Sequence, residues 1–176
     1  DRLTDMLEKM ADRGVIFARL KPGNENRYCL LPTIPGLFEF PFMRPEKNPD
    51  IKELGMLWDQ YHQEGLGESN CGSPTPRMRV VPVQETMLMT SEVLPYEIVS
   101  DMIERADLVS VTNCACRVAT ARCDGSREVC LSFDAMARFL VERDRARLVD
   151  KEEALKILRS AEEEGLVHSI NNSQDR

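Results

Sequence analysis

The sequence is poor in histidine and has no long apolar run. Among its 176 residues are two histidines, His62 and His168, which argues against a histidine-rich metal site and gives little basis for a Cys–His nucleophile pair. It contains no G-x-S-x-G, H-E-x-x-H, P-loop or G-x-G-x-x-G motif, so the usual signatures of hydrolases, zinc proteases and nucleotide-binding enzymes are missing. No apolar run approaches the ~20 residues of a membrane span, and no signal-peptide pattern is found. We therefore expect a cytoplasmic protein with no membrane partner.

Charge and size narrow the possibilities further. The formal net charge is −7, which disfavours nucleic acid as a partner of the chain as a whole. The hydrophobic fraction of 42% and the charged fraction of 30% are those of a soluble globular protein. The length allows one large domain or two small ones, and it suffices to bury a core.

The chain has six cysteines, and four of them lie close together. They follow a C-x-C-x6-C-x6-C spacing, and Arg117 lies among them with other arginines. Nearby guanidinium groups favour the thiolate form that metal ligation requires. The pattern predicts a thiolate-ligated centre whose ligands are Cys114, Cys116, Cys123 and Cys130.

The spacing leaves several chemistries open. An iron–sulfur cluster and a zinc ion both suit four thiolates, but neither the paired C-x2-C of zinc knuckles nor the C-x2-C-x2-C of ferredoxins is present. Reduced core thiols are a plainer alternative, and disulfides are a third. A C-x-C pair can place both sulfurs on one centre only if the backbone between them is extended or turning, because residues two apart in a helix point away from each other.

The first part of the chain predicts a helix followed by a hairpin. Apolar residues recur at helical spacing up to Gly14, and two β-prone runs follow, Val15 to Leu20 and Tyr28 to Leu31. This order matches the closing half of a winged helix, although the acidic residues of the helix oppose DNA binding. Cys29, in the second run, is interpreted as a core residue.

A proline-rich connector and a second helix come next. The segment Pro32 to Pro45 holds four prolines among aromatic residues, and it is predicted to be extended. Ile51 to Gly65 follows helical spacing, and the segment Leu66 to Pro76 is predicted to be a flexible linker. Cys71 lies in that linker, where we expect an exposed thiol.

The second half is predicted to build a small α+β unit around the cysteines. Arg77 to Val83 and Thr86 to Thr90 are candidate strands, and Pro95 is placed at the start of a helix. A buried strand from Leu108 to Thr112 should lead directly into Cys114. The predicted fold class is α+β. Residues 1–65 form a winged-helix-like part with connector and helix, 66–76 a linker, and 77–176 a mainly helical cysteine-cluster domain with short strands.

Part of the sequence is similar to a known type of unit. It resembles the C-x-C-R cysteine domain, preceded by a winged-helix-like segment, of ferredoxin-type 4Fe–4S iron–sulfur proteins of anaerobes. The resemblance covers roughly residues 77–168 and, more loosely, the first part. It rests on Leu94-Pro95-Tyr96-Glu97, Asn113-Cys114-Ala115-Cys116-Arg117, Cys123, Cys130, Glu152-Glu153-Ala154-Leu155 and Glu164-Gly165-Leu166-Val167-His168.

The resemblance implies a 4Fe–4S cluster and electron transfer, with Arg117 tuning the charge of the centre. It also implies a redox partner protein, or further iron–sulfur domains of a longer chain of which this sequence is expected to be a piece. An electron-transfer module or oxidoreductase subunit is favoured over a free-standing enzyme. Two alternatives stay open: a structural zinc-binding scaffold, and a redox-sensing winged-helix transcription regulator.

Overall fold

The fold belongs to the α+β class, as predicted, and combines helices with short antiparallel strands. The structure is a computed structural model, and it describes residues 2–19, 27–71, 78–81 and 99–171. The strand predicted at Thr86 to Thr90 and the helix start predicted at Pro95 lie outside these residues. Within the described ranges, no helix combines the length and apolar character needed to cross a bilayer.

The chain begins with the predicted helix and hairpin. Helix α1 spans Arg2–Asp12, and strands β1 (Ile16–Arg19) and β2 (Arg27–Leu30) pair antiparallel. Gly14 links α1 to β1 with a φ of 72°, and a Cβ at this position would lie 2.3 Å from the ring of Phe40. Glycine is therefore required both by the backbone and by the ring packed against it.

Cys29 is exposed, so its interpretation as a core residue was wrong. The hairpin packs on the core through β1, where Ile16 and Ala18 are buried, whereas the residues of β2 are exposed or half-buried. A two-stranded hairpin that presents one strand to the core leaves its partner strand near solvent, and the sequence pattern does not say which strand that is.

The connector is extended at Pro32, Ile34 and Pro35, as predicted, but its second part is helical, contrary to the prediction. It contains helix α2 (Glu39–Phe42) and a 3₁₀ turn at Pro45–Lys47. Pro41 is compatible with α2 because it occupies the first turn, where the backbone N–H groups have no partner within the helix. Burial of Phe40 and Phe42 against the core stabilises this short helix.

The second helix runs further than predicted. Helix α3 spans Ile51–Tyr61, a wider turn covers His62–Leu66, and helix α4 continues over Gly67–Cys71. The start of the predicted linker is therefore helical. Leu66 is buried and anchors this stretch, which outweighs the weak helix preference of the glycine on either side. The rest of that linker lies outside the described part of the chain, as does the side chain of Cys71, so its predicted exposure stays a prediction.

A three-stranded antiparallel sheet supports the cysteine segment. Its order is β5-β4-β6, with β4 at Val109–Asn113, β5 at Glu128–Phe133 and β6 at Arg147–Val149. Residues 109–112 are all buried, as expected for a central strand covered on both faces. The strand predicted at Leu108 to Thr112 is confirmed, and it leads straight to Cys114.

Helices cover this sheet, and a small second sheet closes the described chain. The helices are α5 (Val99–Arg105), α7 (Asp134–Glu142) and α8 (Lys151–Glu163), and strands β3 (Met78–Val80) and β7 (Ser169–Asn171) pair antiparallel. The carboxylate of Asp150 caps α8 by accepting a hydrogen bond from the backbone N–H of Glu153 at 2.7 Å.

The buried apolar residues form two clusters. The first joins residues from both predicted domains, because Ala11, Ile16 and Phe40 pack together with Phe139 and Leu140 of α7. The second lies between α5, β4 and α8 and is centred on Ile103. Residues 1–65 and 77–176 thus share a core in addition to the contacts that each makes within itself.

Candidate metal centre

The candidate site forms where β4 ends and the next helix begins. Cys114 has an extended backbone, with φ −66° and ψ 107°, and it caps helix α6 (Ala115–Thr120). Its backbone N–H donates to the carbonyl of Arg127 at 2.6 Å, which extends the β4–β5 pairing by one step. The rigid sheet therefore fixes the position of the first cysteine.

Cys130 is brought to the same place by the pairing of β5 with β4. It lies opposite Thr112, and a register shift follows, so that Asn113 pairs with Glu128. Thr112 is itself held by a hydrogen bond from its hydroxyl to the carbonyl of Arg145 at 2.6 Å. The third thiol thus reaches the C-x-C pair through sheet register, since it lies well beyond the reach of local spacing.

Cys114 and Cys116 form a hydrogen-bonded pair of sulfurs. The hydrogen bond from the Cys116 thiol lowers the pKa of Cys114, while burial opposes the shift and the backbone N–H and guanidinium of Arg117 support it. The same hydrogen bond raises the pKa of Cys116, and the charge of Cys114 adds to that effect. Cys114 is therefore the more readily ionised of the two thiols.

The backbone of the C-x-C segment turns between the two cysteines, as its spacing requires if both sulfurs are to lie on one centre. Cys114 is extended and Cys116 lies in the first turn of α6, so the pair straddles a helix start and does not lie within one helix. Both sulfurs can therefore lie on the same side of the chain.

Burial dominates the chemistry of the third thiol. It raises the pKa of Cys130 to about 12, and the charges of Cys114 and Glu39 act in the same direction. At neutral pH this thiol keeps its proton unless a cation takes the proton's place.

A carboxylate that the sequence analysis missed lies beside the thiols. Glu39 is the first residue of α2, and its Oε2 accepts a hydrogen bond from the backbone N–H of Gly36 at 2.5 Å. Burial raises the pKa of Glu39, and the charge of Cys114 adds to the shift. In turn, its charge raises the pKa values of Cys116 and Cys130. Glu39 is the only acidic residue between Pro32 and Pro45, a signal that could have drawn attention to it.

Helices α2 and α3 both pack against the segment that carries the C-x-C pair. The side-chain amide of Asn113 donates to the carbonyl of Met43 at 3.0 Å, which ties the end of α2 to the residue before Cys114. A Cβ on Gly55 of α3 would lie 2.5 Å from the carbonyl oxygen of Ala119, so the α3 and α6 backbones are in direct contact. Both helices therefore pack close to the segment that carries the C-x-C pair.

Arg117 is the cation whose charge acts on the Cys114–Cys116 pair. Its guanidinium donates to the carbonyl of Ser126 at 3.1 Å, which orients it across the loop that follows α6. Its charge lowers the pKa of Cys114. This placement is compatible with the tuning role expected from the sequence.

Cys123 lies in that same loop and is exposed. The loop is tied at both ends, by Arg122 to Asp59 at 2.8 Å and by the backbone N–H of Ser126 to Glu164 at 2.8 Å. Three of the four predicted ligands therefore act on one another, and for Cys123 the described residues show no such interaction.

The donor chemistry of the site suits a metal centre. Thiolates bind zinc and the iron of clusters, and a carboxylate oxygen is also an accepted ligand of zinc. The thiols are protonated or hydrogen-bonded in the arrangement described. Across residues 2–19, 27–71, 78–81 and 99–171, no set of three or more His, Cys, Asp and Glu side chains is placed to hold a metal ion. Ligation would require loss of the protons on Cys116 and Cys130 together with local closure.

Comparisons of this chain with protein families, with curated proteins and with solved structures found no match.

Proposed function

We propose that the chain is an iron–sulfur module for one-electron transfer, in which Cys114, Cys116 and Cys130 hold a 4Fe–4S cluster. The observation that carries the proposal is the gathering of these three thiols with Glu39, where the charge of Cys114 opposes the ionisation of the other three groups. Like charges so close together cannot all ionise unless a multivalent cation compensates them. A cluster core supplies that compensation.

The surrounding residues have defined tasks in this proposal. A bound cluster would supply the centre that accepts and gives up one electron. Arg117 offsets the negative charge that several thiolates bring together, and its backbone N–H supports the Cys114 thiolate. No residue is assigned to substrate chemistry.

The partner would be a redox protein or further iron–sulfur domains of a longer chain. The formal net charge of −7 disfavours nucleic acid and favours a partner with a basic docking surface. We place this exchange in the cytoplasm.

Zinc is the second candidate, and Glu39 is the observation that favours it. Three sulfurs with one carboxylate oxygen fall within the ligand range of zinc. A structural zinc site would use the same side chains to stabilise the fold without any redox role.

Anaerobic reconstitution with ferrous iron and sulfide, followed by iron, sulfide and zinc quantitation and visible spectra, tests the proposal. We expect about four iron and four sulfide ions per chain and visible absorption that bleaches on reduction with dithionite. The Cys114→Ser and Cys116→Ser variants should lose the colour, while Cys29→Ser, which changes an exposed thiol on the hairpin, should keep it. Stoichiometric zinc in a colourless protein would contradict the proposal.

A further inference from the structure

Helix α3 presents three exposed apolar side chains to solvent. Met56, Leu57 and Tyr61 are 74%, 56% and 50% exposed, and we call them the α3 patch. Gly55 marks the inward side of the helix, because it meets the backbone of Ala119. With about 100° between successive residues, Leu57 lies almost opposite Gly55, and Met56 and Tyr61 lie on either side of it. Scattered apolar residues are ordinary on a protein surface, but three within two turns of one helix form a patch.

Aromatic packing holds one edge of the α3 patch in place. The ring of Tyr61 lies 5.7 Å from that of Trp58, and the Trp58 ring lies 5.2 Å from that of Phe38. Trp58 and Phe38 are half-buried, so Tyr61 rests on side chains that belong to the fold. Side chains that are already ordered lose little conformational entropy when a partner covers them.

Acidic side chains border the α3 patch. Glu53 and Glu64 are exposed and lie on the same side of the helix as Leu57, one turn before it and two turns after it. Among the residues that the structure describes, neither forms an ion pair, and Glu64 accepts a hydrogen bond from the side-chain amide of Gln60 at 2.7 Å. Lys52 is the single lysine or arginine between residues 51 and 66. The patch therefore has a negatively charged rim.

This rim determines which partners the α3 patch suits. Carboxylates repel the phosphates of nucleic acids and the anionic headgroups of membrane lipids. A face-to-face contact with a second copy of the chain would bring Glu53 and Glu64 against their own counterparts, which is unfavourable for like charges. A basic protein surface with apolar residues at its centre complements both the apolar side chains and the charge.

The spacing of the exposed side chains suits a helix as that surface. Leu57 and Tyr61 lie four residues apart, as do Met56 and Gln60, so the two pairs form ridges along α3. Helices pack by placing side chains of one helix into the grooves between such ridges of another. An amphipathic helix would cover the apolar side chains with its own and place lysine or arginine beside the carboxylates.

We propose that the α3 patch is the docking site for a basic amphipathic helix of a partner protein. This inference goes beyond the proposed function, which assigns no surface to the partner. Only the nearness of the partner to the centre rests on that function. Because α3 contacts α6, and α6 carries Cys116, a partner docked on the patch lies one helix away from the proposed cluster.

Titration of the apoprotein with synthetic peptides tests the proposal. One peptide is a helix of about 18 residues with leucine on one face, lysine on the other and no tryptophan, and its counterpart carries glutamate in place of every lysine. We expect the lysine peptide to change the fluorescence of Trp58, the single tryptophan of the chain, and to bind more weakly as sodium chloride is raised. The glutamate peptide should not bind.

Paired variants locate the binding surface. Leu57→Ser should raise the dissociation constant of the lysine peptide at least about fivefold, because the leucine no longer covers apolar surface. Leu148→Ser, which changes a leucine of β6 that is 52% exposed, is the matched control and should bind as the wild type does. Glu53→Gln should weaken binding at least about twofold at low salt, while Glu163→Gln, an exposed acid of α8, should leave it unchanged. Far-ultraviolet circular dichroism verifies the folding of each variant.

The outcomes distinguish this inference from the proposed function. Equal binding of the two peptides, or a Leu57→Ser variant that binds like the wild type, overturns the docking site. A wild type that sediments as a dimer and a Leu57→Ser variant that sediments as a monomer also overturn it, because a second copy would then cover the patch. These results leave the iron–sulfur proposal standing, and a chain that takes up no iron and sulfide leaves the docking site standing.

Discussion

At the scale of single residues, the hydrogen bond between the thiols of Cys114 and Cys116 has a direct chemical consequence. The pKa of Cys114 lies below the ordinary value for a thiol because the Cys116 thiol donates a hydrogen bond to its sulfur. In the apoprotein, alkylation of Cys114 by iodoacetamide should therefore begin at lower pH than the ~8.5 of a free cysteine.

Peptide mass spectrometry of samples alkylated across a pH series measures this effect. Cys116→Ala removes the donor and should move the alkylation profile of Cys114 towards higher pH, while the reaction at exposed Cys29 serves as an internal reference. If Cys116→Ala left the Cys114 profile where it was, the hydrogen-bonded pair would be refuted.

Cys130 predicts a loss of stability at alkaline pH. Its pKa rises on folding from 9.0 to about 12, so between these values the unfolded chain has lost a proton that the native chain retains. Stability contributed by the neutral thiol is complete below pH 9 and falls as pH rises through this window, by at most roughly 1.4 kcal/mol for each pH unit.

Urea unfolding of the apoprotein and of Cys130→Ala, at several pH values from neutral to alkaline, isolates this contribution. Tyrosines and lysines titrate in the same range in both proteins, so the difference between the two proteins reports the thiol. The stability gap between them should shrink with rising pH, and a gap independent of pH would show that Cys130 ionises as an ordinary thiol.

Part of the site was predictable from single residues, and part was not. The C-x-C pair follows from local spacing, and Cys130 follows once β5 is known to pair with β4. Glu39 belongs to a segment far away in sequence, and only the docking of α2 brings it to the thiols. The ligand role of Cys123 stays a prediction from spacing, because a sequence shows how many residues separate two cysteines but not how the loop between them is tied.

At the scale of elements, the contact between α3 and α6 leaves no room for a larger side chain at the point where the two helices meet. Gly55 allows the two backbones to meet, because a Cβ there would lie 2.5 Å from the carbonyl oxygen of Ala119. Gly55→Ala should destabilise the protein by about 1–3 kcal/mol, although alanine is the better helix former. Gly65, where a Cβ would have no neighbour within 4 Å, offers the matched control.

Urea unfolding of Gly55→Ala and Gly65→Ala provides the comparison. Gly65→Ala should be neutral or more stable than the wild type by up to about 1 kcal/mol. If the chain takes up the proposed cluster on reconstitution, Gly55→Ala should take up less, because Cys116 lies on α6. Equal effects of the two substitutions would mean that the close approach of α3 and α6 carries no energetic weight.

Elements with strong periodicity were predictable, whereas proline-rich ones were not. Helices α1 and α3 and strand β4 were predicted from their apolar spacing and are present. The second part of the connector was wrongly predicted to be extended, because proline is a helix breaker only beyond the first turn, and α2 is a single turn. The helix after Leu66 was missed because burial of a single leucine outweighed two glycines.

At the scale of the whole molecule, Phe139 joins the two halves. It is 2% exposed, and its ring contacts those of Phe17 and Phe40 at centroid distances of 4.7 and 6.1 Å. Phe139→Ala should cost about 3–5 kcal/mol, and the cost should fall on both halves together because they share this cluster.

Two probes of unfolding report the two halves. Trp58 is the single tryptophan and lies in α3, so its fluorescence follows the first part of the chain, while circular dichroism follows all helices. Both signals should show one transition with a common midpoint in the wild type, and Phe139→Ala should shift both equally. Separate midpoints would mean that residues 1–65 and 77–176 unfold independently.

The central position of β4 also determines how this protein can be made. Both of its neighbours in the sheet, β5 and β6, follow it in sequence. A ribosome therefore delivers β4, whose residues 109–112 are buried in the fold, before either partner strand exists. During that interval both edges of the nascent strand are open to other chains and to chaperones. The C-x-C thiols emerge in the same interval, before the pairing of β5 with β4 can bring Cys130 to them.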